Sequence, residues 1–266
     1  MRFALIVLLT LVSLPMHAQE SALISLQTGD DSKGWNAVGR LNLGDRGFCT
    51  GTLIAPDLVL TAAHCLFDKE TGARIEARDI EFLAGLRNGR AEAYRSVARA
   101  VAHPDYIYSG ENEMERTAFD IALLQLDQPI RQPSIQPIAT AAPPKIGDEV
   151  GVVSYAQDRA EAPSLQQICH VIDGSRAVLV LSCDVDFGSS GAPIFVVKDG
   201  VPQIVSVVSA KAESDGKKVS LGTALEVPLA VVMAELAKDH GPVTLSGAKV
   251  NMLSGGKASG AKFVKP

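Results

Sequence analysis

The chain has 266 residues and a formal net charge of −5, with 47% hydrophobic and 21% charged residues. That length admits one large domain or two small halves, and the hydrophobic share suffices for a packed core and argues against a disordered chain. No long basic block accompanies the mild negative charge, so nucleic acid is not an expected partner.

The first stretch, MRFALIVLLTLVSLPMHAQE, sets Arg2 before an apolar run from Phe3 to Leu14, then Pro15 and the small Ala18. The apolar run is too short to span a bilayer, and the layout reads as a secretory signal peptide over residues 1–18. Residues 19–34 form a short N-terminal segment. The mature protein is expected to be exported, to the periplasm or beyond the cell, with no stable membrane insertion. Four cysteines, at 49, 65, 169 and 183, are an even number in an oxidising setting and favour two disulfides. Three pairings exist; nearness in sequence selects Cys49–Cys65 and Cys169–Cys183. No pair has the short Cys-x-x-Cys spacing of a zinc site, so neither a metal nor any other cofactor is expected.

From residue 37 onward the pattern is one of short strands. AVGRLNL alternates its apolar residues, and GTLIAPDLVLTAA is two apolar runs broken by Pro-Asp. YRSVARAVAH, DIALLQL, EVGVVSY, RAVLVLSC and LGTALEV continue the series, and FVVKDGVPQIVSVV is a hairpin candidate turning at Lys-Asp-Gly. Strands so spaced without helices between them imply an all-β barrel or sandwich. A Pro- and Gln-rich stretch, residues 127–148, reads as a linker between two groups of strands. PLAVVMAELAKDHG has apolar residues at helical spacing with Pro near its start, and the Gly/Ser/Lys/Ala-rich residues 241–266 read as a flexible tail.

The mature chain holds few histidines. His64 lies in LTAAHC at the end of an apolar strand, beside Cys65. Asp120 opens DIALLQL, and FGSSGAP places Ser189 and Ser190 between glycines. Taken singly, these fit a strand-end histidine, a turn aspartate and a tight turn. Together, the blocks CTGTLI, TAAHC, HPDY, DIALLQL and GSSGAP resemble the trypsin-like (chymotrypsin-fold) serine peptidases, of a bacterial-type exported kind. The resemblance spans Trp35 to the helix near residue 239. It implies two antiparallel β-barrels with a C-terminal helix: a first barrel over about 35–130, a second over about 145–228 and the helix over about 228–240.

The resemblance also implies roles. Ser190 is the nucleophile, His64 its general base and Asp120 the group that orients the imidazole. The backbone N–H groups of Gly188 and Ser190 form the oxyanion hole. Asp184, six residues before Ser190, stands where trypsins place the acid at the base of the primary pocket, and Gly222 matches a pocket-wall glycine. Ser209, Ala210 and Lys211 match the edge strand that pairs with substrate backbone. Asp184 points to Arg or Lys before the scissile bond; Lys211, at a position commonly glycine, opposes a cationic side chain. CDVDFG also resembles loops of the glutamyl-endopeptidase branch, in which an aspartate at this spacing is not a specificity acid. The expected partner is a peptide or protein substrate of a monomeric enzyme.

Two departures from the family loop Gly-Asp-Ser-Gly-Gly-Pro matter. Ser189 replaces the aspartate, and Ala192 the second glycine. In the animal digestive enzymes that aspartate binds a new N-terminal ammonium after propeptide cleavage, which serine cannot do as an ion. No basic residue followed by Ile/Val-Val-Gly-Gly precedes Trp35 either. The expectation is an enzyme that does without ion-pair zymogen activation. His103, His170 and Asp186 are given structural or loop roles. An α/β-hydrolase is disfavoured because only His240 follows the serine and helices do not alternate with strands. A catalytically silent trypsin-fold binding protein is the remaining alternative.

Overall fold

The computed structural model describes residues 20–214 and 216–238. The expected signal peptide, the tail and His240 lie outside the described residues.

Six strands build the first half: β2 (Val38–Leu43) and β3 (Phe48–Ala55), after a two-residue β1 (Ile24–Ser25), then β4 (Leu58–Thr61), β5 (Ile80–Ala84), β6 (Ala93–Ala102) and, past a short helix α1 (Glu113–Ala118), β7 (Ala122–Leu126). They close in the order β2-β3-β4-β7-β6-β5. The second half runs β8 (Glu149–Ala156), β9 (Arg159–Gly174), β10 (Val178–Leu181), β11 (Pro193–Lys198), β12 (Val201–Ser214) and β13 (Lys217–Ala224). Its order is β9-β10-β13-β12-β11-β8, and the β8–β9 pairing closes that ring too, with β1 added along β9. All paired strands are antiparallel, so the molecule is two six-stranded barrels followed by α2 (Glu226–Lys238).

Alternation explains each wall. Leu41, Leu53, Val59, Phe82 and Leu124 share the inner face of the first barrel by register and are fully buried; Val152, Leu181, Ile194 and Val205 are buried together in the second. The β11–β12 hairpin turns where expected: Asp199 (φ 53°) and Gly200 (φ 78°) take the two positive-φ positions of a two-residue turn. Pro228 lies in the first turn of α2, where a missing N–H costs nothing. One turn apart, Pro228, Val232 and Leu236 form the helix's buried stripe, and Arg99 of β6 donates to the Leu236 carbonyl at 3.0 Å.

Residues 127–148 join the two groups of strands and are packed against them. Ile130, Ile135 and Ile138 are buried, the Ile138 N–H bonds Leu53 O at 2.9 Å, and Ala141 N–H bonds Ile204 O at 2.8 Å. The stretch straps one barrel to the other. Tyr155 of β8 completes the seam: it is fully buried and its hydroxyl donates to Leu86 O at 2.9 Å. Burial drives its phenol far above the ordinary value, so it stays a neutral donor. Disulfides join Cys49 of β3 to Cys65, and Cys169 of β9 to Cys183.

Candidate active site

His64 sits on a single 3-10 turn, Ala63–Leu66, which follows β4 directly. The disulfide from Cys65 to β3 fastens that turn to a strand. Asp120 is 2% exposed and precedes β7. Both of its oxygens serve His64: Oδ2 lies 2.7 Å from Nδ1 and Oδ1 accepts from the His64 backbone N–H at 2.8 Å. This fixes the proton on Nδ1 and leaves Nε2 as the free base.

The second barrel contributes to the same carboxylate. The ladder between β12 and β13 slips by one residue between Val208 and Ala210, so Ser209 is the extra residue of a bulge. Its hydroxyl donates to Asp120 Oδ2, a re-aiming that bulges beside functional sites commonly perform. Thr223 of β13 holds the Asp120 loop from below, donating to Thr117 O at 2.7 Å. Tyr106 packs in the cleft over this group. Burial and the Asp120 charge push its phenol well above the ordinary value, so it remains neutral.

Helix α1 was not foreseen in the sequence. Its signal was present: Asn112 caps it by accepting from the Glu115 N–H at 3.2 Å, an Asx residue three positions before a glutamate. Together with Tyr106 and Tyr108, Glu113, Arg116 and Thr117 form one wall of the cleft.

Ser190 lies in that cleft, of about 410 Å³, together with His64 and Asp120. The loop carrying it is held peptide by peptide. Gln157 N–H binds Phe187 O at 2.7 Å, Ser189 N–H binds Asp186 O at 2.9 Å, and Ala192 N–H binds Ser189 O at 2.9 Å. In a trans peptide the C=O and N–H point oppositely. Pinning Phe187 O and Ser189 O therefore turns the Gly188 and Ser190 N–H groups the other way. Neither donates to any acceptor among the described residues. Gly188 has φ 98°, and a Cβ there would lie 2.4 Å from the Phe48 ring, so only glycine fits.

Ser189 is fully buried. Its hydroxyl donates within 3.1 Å of Ser154 Oγ and 3.3 Å of Tyr155 O, and accepts from Asp186 N–H at 3.3 Å. No ammonium group takes part in it; the nearest cation is the Arg159 guanidinium, which donates to Ser154 Oγ at 3.3 Å. The N-terminal residues run elsewhere: Ser21 and Ile24–Ser25 pair along β9, near Ile168 and Leu165.

The remaining sequence candidates separate. Ala210 and Lys211 line the cleft beside Ser209. Asp184 and Gly222 do not border it: Asp184 is exposed with its N–H on Gln166 Oε1 at 2.8 Å, and Gly222 is buried in β13 with Ser206 Oγ 2.4 Å from where a Cβ would stand. Asp186 borders it instead. Its Oδ1 takes the Lys211 ammonium at 2.7 Å, and that ammonium lies 3.9 Å from the centroid of the exposed Phe187 ring. The Lys211 hydrogen bond, with the Phe187 N–H, holds the Asp186 carboxyl below the usual carboxylate range. His103 is buried against Phe119, 4.9 Å between rings, and its Nδ1 accepts from Asp105 N–H. Burial lowers its pKa. Cys49, His64 and Cys65 cluster as metal ligands might, but sulfurs joined in a disulfide offer no thiolate.

Comparison with known proteins agrees with this fold. A trypsin-like peptidase domain model matches residues 49–202. Serine protease 23 of Mus musculus is 29% identical over 166 residues, covering 56% of this chain and 43% of that protein. Glutamyl endopeptidase of Bacillus licheniformis is 25% identical over 150 residues, covering 56% and 45%. The match to the mouse protein thus spans well under half of that relative's length. A solved Glu endopeptidase structure superposes with a TM-score of 0.67 at 17% identity, covering 82% of this chain and 97% of the other, which speaks for the fold. With a family-wide match over more than half its length and two closed barrels around one cleft, the chain belongs to the trypsin-like peptidase family.

Proposed function

We propose that the protein is an exported serine endopeptidase that cleaves peptide bonds through an acyl-enzyme on Ser190. The observation that carries this reading is the His64–Asp120 pair at 2.7 Å sharing a cleft with Ser190 and with two unspent backbone N–H groups. His64 Nε2 takes the Ser190 hydroxyl proton as Oγ attacks the carbonyl carbon, and Asp120 stabilises the imidazolium without accepting the proton. Gly188 and Ser190 N–H receive the developing oxyanion. The tetrahedral intermediate collapses, His64 returns its proton to the leaving amine, and water then releases the acyl group by the same steps in reverse order. Ser209 to Lys211 on β12 offer the strand to which substrate backbone adds.

No N-terminal ion pair is needed in this reading. The Ser189 network, which holds no ammonium group, and the pinned loop support an oxyanion hole already formed in the described chain. Two disulfides support export, since such bonds persist in oxidising compartments. Covalent labelling with a fluorophosphonate tests the whole reading. Chain lacking residues 1–18 should label on Ser190 with no further N-terminal cut, and Ser190→Ala should not; equal signals reject the enzyme in favour of a silent binding protein.

A further inference from the structure

We infer that Thr50 is a positioning residue of the oxyanion loop, acting from the first barrel on a loop of the second; this rests on the peptidase reading above. Thr50 lies on β3, next to Cys49, and is fully buried. One residue makes four hydrogen bonds at the seam. Its hydroxyl donates to Gly188 O at 2.9 Å and accepts from Tyr155 N–H at 3.1 Å. Its backbone N–H donates to Ser190 O at 2.9 Å, and its carbonyl accepts from Thr61 Oγ1 at 2.9 Å. Three of these four reach across to the second barrel.

The hydroxyl occupies the critical position. Gly188 has no Cβ, so the loop pivots there most readily. The peptide entering Gly188 is held by Gln157 through Phe187 O. The peptide leaving it is held on its carbonyl edge by Thr50 Oγ1 and on its N–H edge by Asp186 O. Gly191, with φ 76°, presses the other end of the loop into the same place: a Cβ there would lie 2.1 Å from Thr61 Oγ1 and 2.5 Å from Thr50 O. Without the Thr50 hydroxyl, the buried Gly188 carbonyl loses its partner, and a conformer with that peptide rotated toward another donor gains population. Rotation there turns ψ of Gly188 and φ of Ser189, and so moves Ser190 and its N–H relative to the Gly188 N–H, which stays with the peptide held by Gln157. The ground state binds substrate on β12 and is little affected; the oxyanion, which needs both donors, is affected.

Thr50→Val keeps the shape and removes the hydroxyl; Thr50→Ser keeps the hydroxyl and removes a methyl. On the fastest substrate of a chromogenic peptide panel, Thr50→Val should lower kcat about 3- to 10-fold at a KM within about twofold, the shift that one net buried hydrogen bond allows. A peptide trifluoromethyl ketone, which forms the tetrahedral adduct, should weaken by the same factor, while Thr50→Ser should stay near wild type. Should Thr50→Val not fold, Thr50→Ala carries the same expectation of a kcat loss at unchanged KM. Wild-type kcat in the hydroxyl-free variant, equal losses in the valine and serine variants, or a loss confined to KM would each overturn the inference. Failure of the peptidase reading is distinct: the wild-type chain itself would then neither label with a fluorophosphonate nor cleave, and both readings would fall.

Discussion

Ser189→Asp restores the acid that the wider family carries in this loop, and the structure predicts that it will harm this protein. Ser189 is fully buried, and its hydroxyl lies among Ser154 Oγ, Tyr155 O and Asp186 N–H. A carboxylate there gains at most the Ser154 hydroxyl and one N–H as direct donors and faces the Tyr155 carbonyl as a like partial charge, while the Arg159 guanidinium stands one hydrogen bond further off, on Ser154 Oγ at 3.3 Å. Burial raises the pKa of a fully buried carboxyl by up to about 3–5 units, and the Arg159 guanidinium beyond Ser154 holds the rise to the lower end, about 3 units. At 1.36 kcal/mol per unit, that is a loss of about 4 kcal/mol at neutral pH. The sign follows from proton binding. Between the unfolded and the raised folded pKa the folded variant binds more protons than the unfolded chain, so its stability falls as pH rises. The excess destabilisation over wild type should be small near pH 4 and fully developed above the raised pKa. Paired urea denaturation of wild type and variant at several pH values measures it. A variant as stable as wild type at pH 8 would refute the argument, since it would require a cation, an N-terminal ammonium or the Arg159 guanidinium, to reach residue 189 directly.

Asp120→Asn should leave the chain folded and lower kcat about 10⁴-fold, because the amide cannot impose the imidazole tautomer that Asp120 holds through Oδ2; hydrolysis of a chromogenic peptide measures this. Replacing both Cys49 and Cys65 by alanine opens a loop with a sequence separation of 16 and should cost about 3 kcal/mol in equilibrium denaturation, with activity falling as the His64 turn loosens. The Lys211–Asp186 ion pair borders the cleft that holds Ser190, as do Val185, Val208 and Ala210. Lys211→Gly should therefore widen the range of side chains accepted before the scissile bond, read as kcat/KM across a peptide panel, and an unchanged profile would remove Lys211 from specificity. Because the folded pKa of Asp186 is depressed, the pairing is present above the unfolded pKa and is lost as pH falls through the folded value. Wild-type selectivity should accordingly drift toward that of Lys211→Gly in acid.

Much of the molecule was legible in one dimension. Period-two alternation in segments such as AVGRLNL and the Asp-Gly turn of the hairpin specify strands through local sterics, and they lie where the residues placed them. The family blocks named His64, Asp120 and Ser190 by resemblance, and the three line one cleft, although the 2.7 Å pair joins residues 56 apart in the chain. What the chain did not disclose depended on partners far away in sequence. The stretch 127–148 reads as a linker because Pro and Gln suit loops, and it does join the halves, but Ile130, Ile135 and Ile138 are buried and its backbone bonds both barrels, through Leu53 O and Ile204 O. Asp184 lay at the right spacing for a pocket acid, but a loop's direction is set by what pins it, and Gln166 holds Asp184 outside while Lys211 draws Asp186 in. Thr50 carried no signal at all, because its role exists only where a hydroxyl of one barrel meets a carbonyl of the other, 138 residues on.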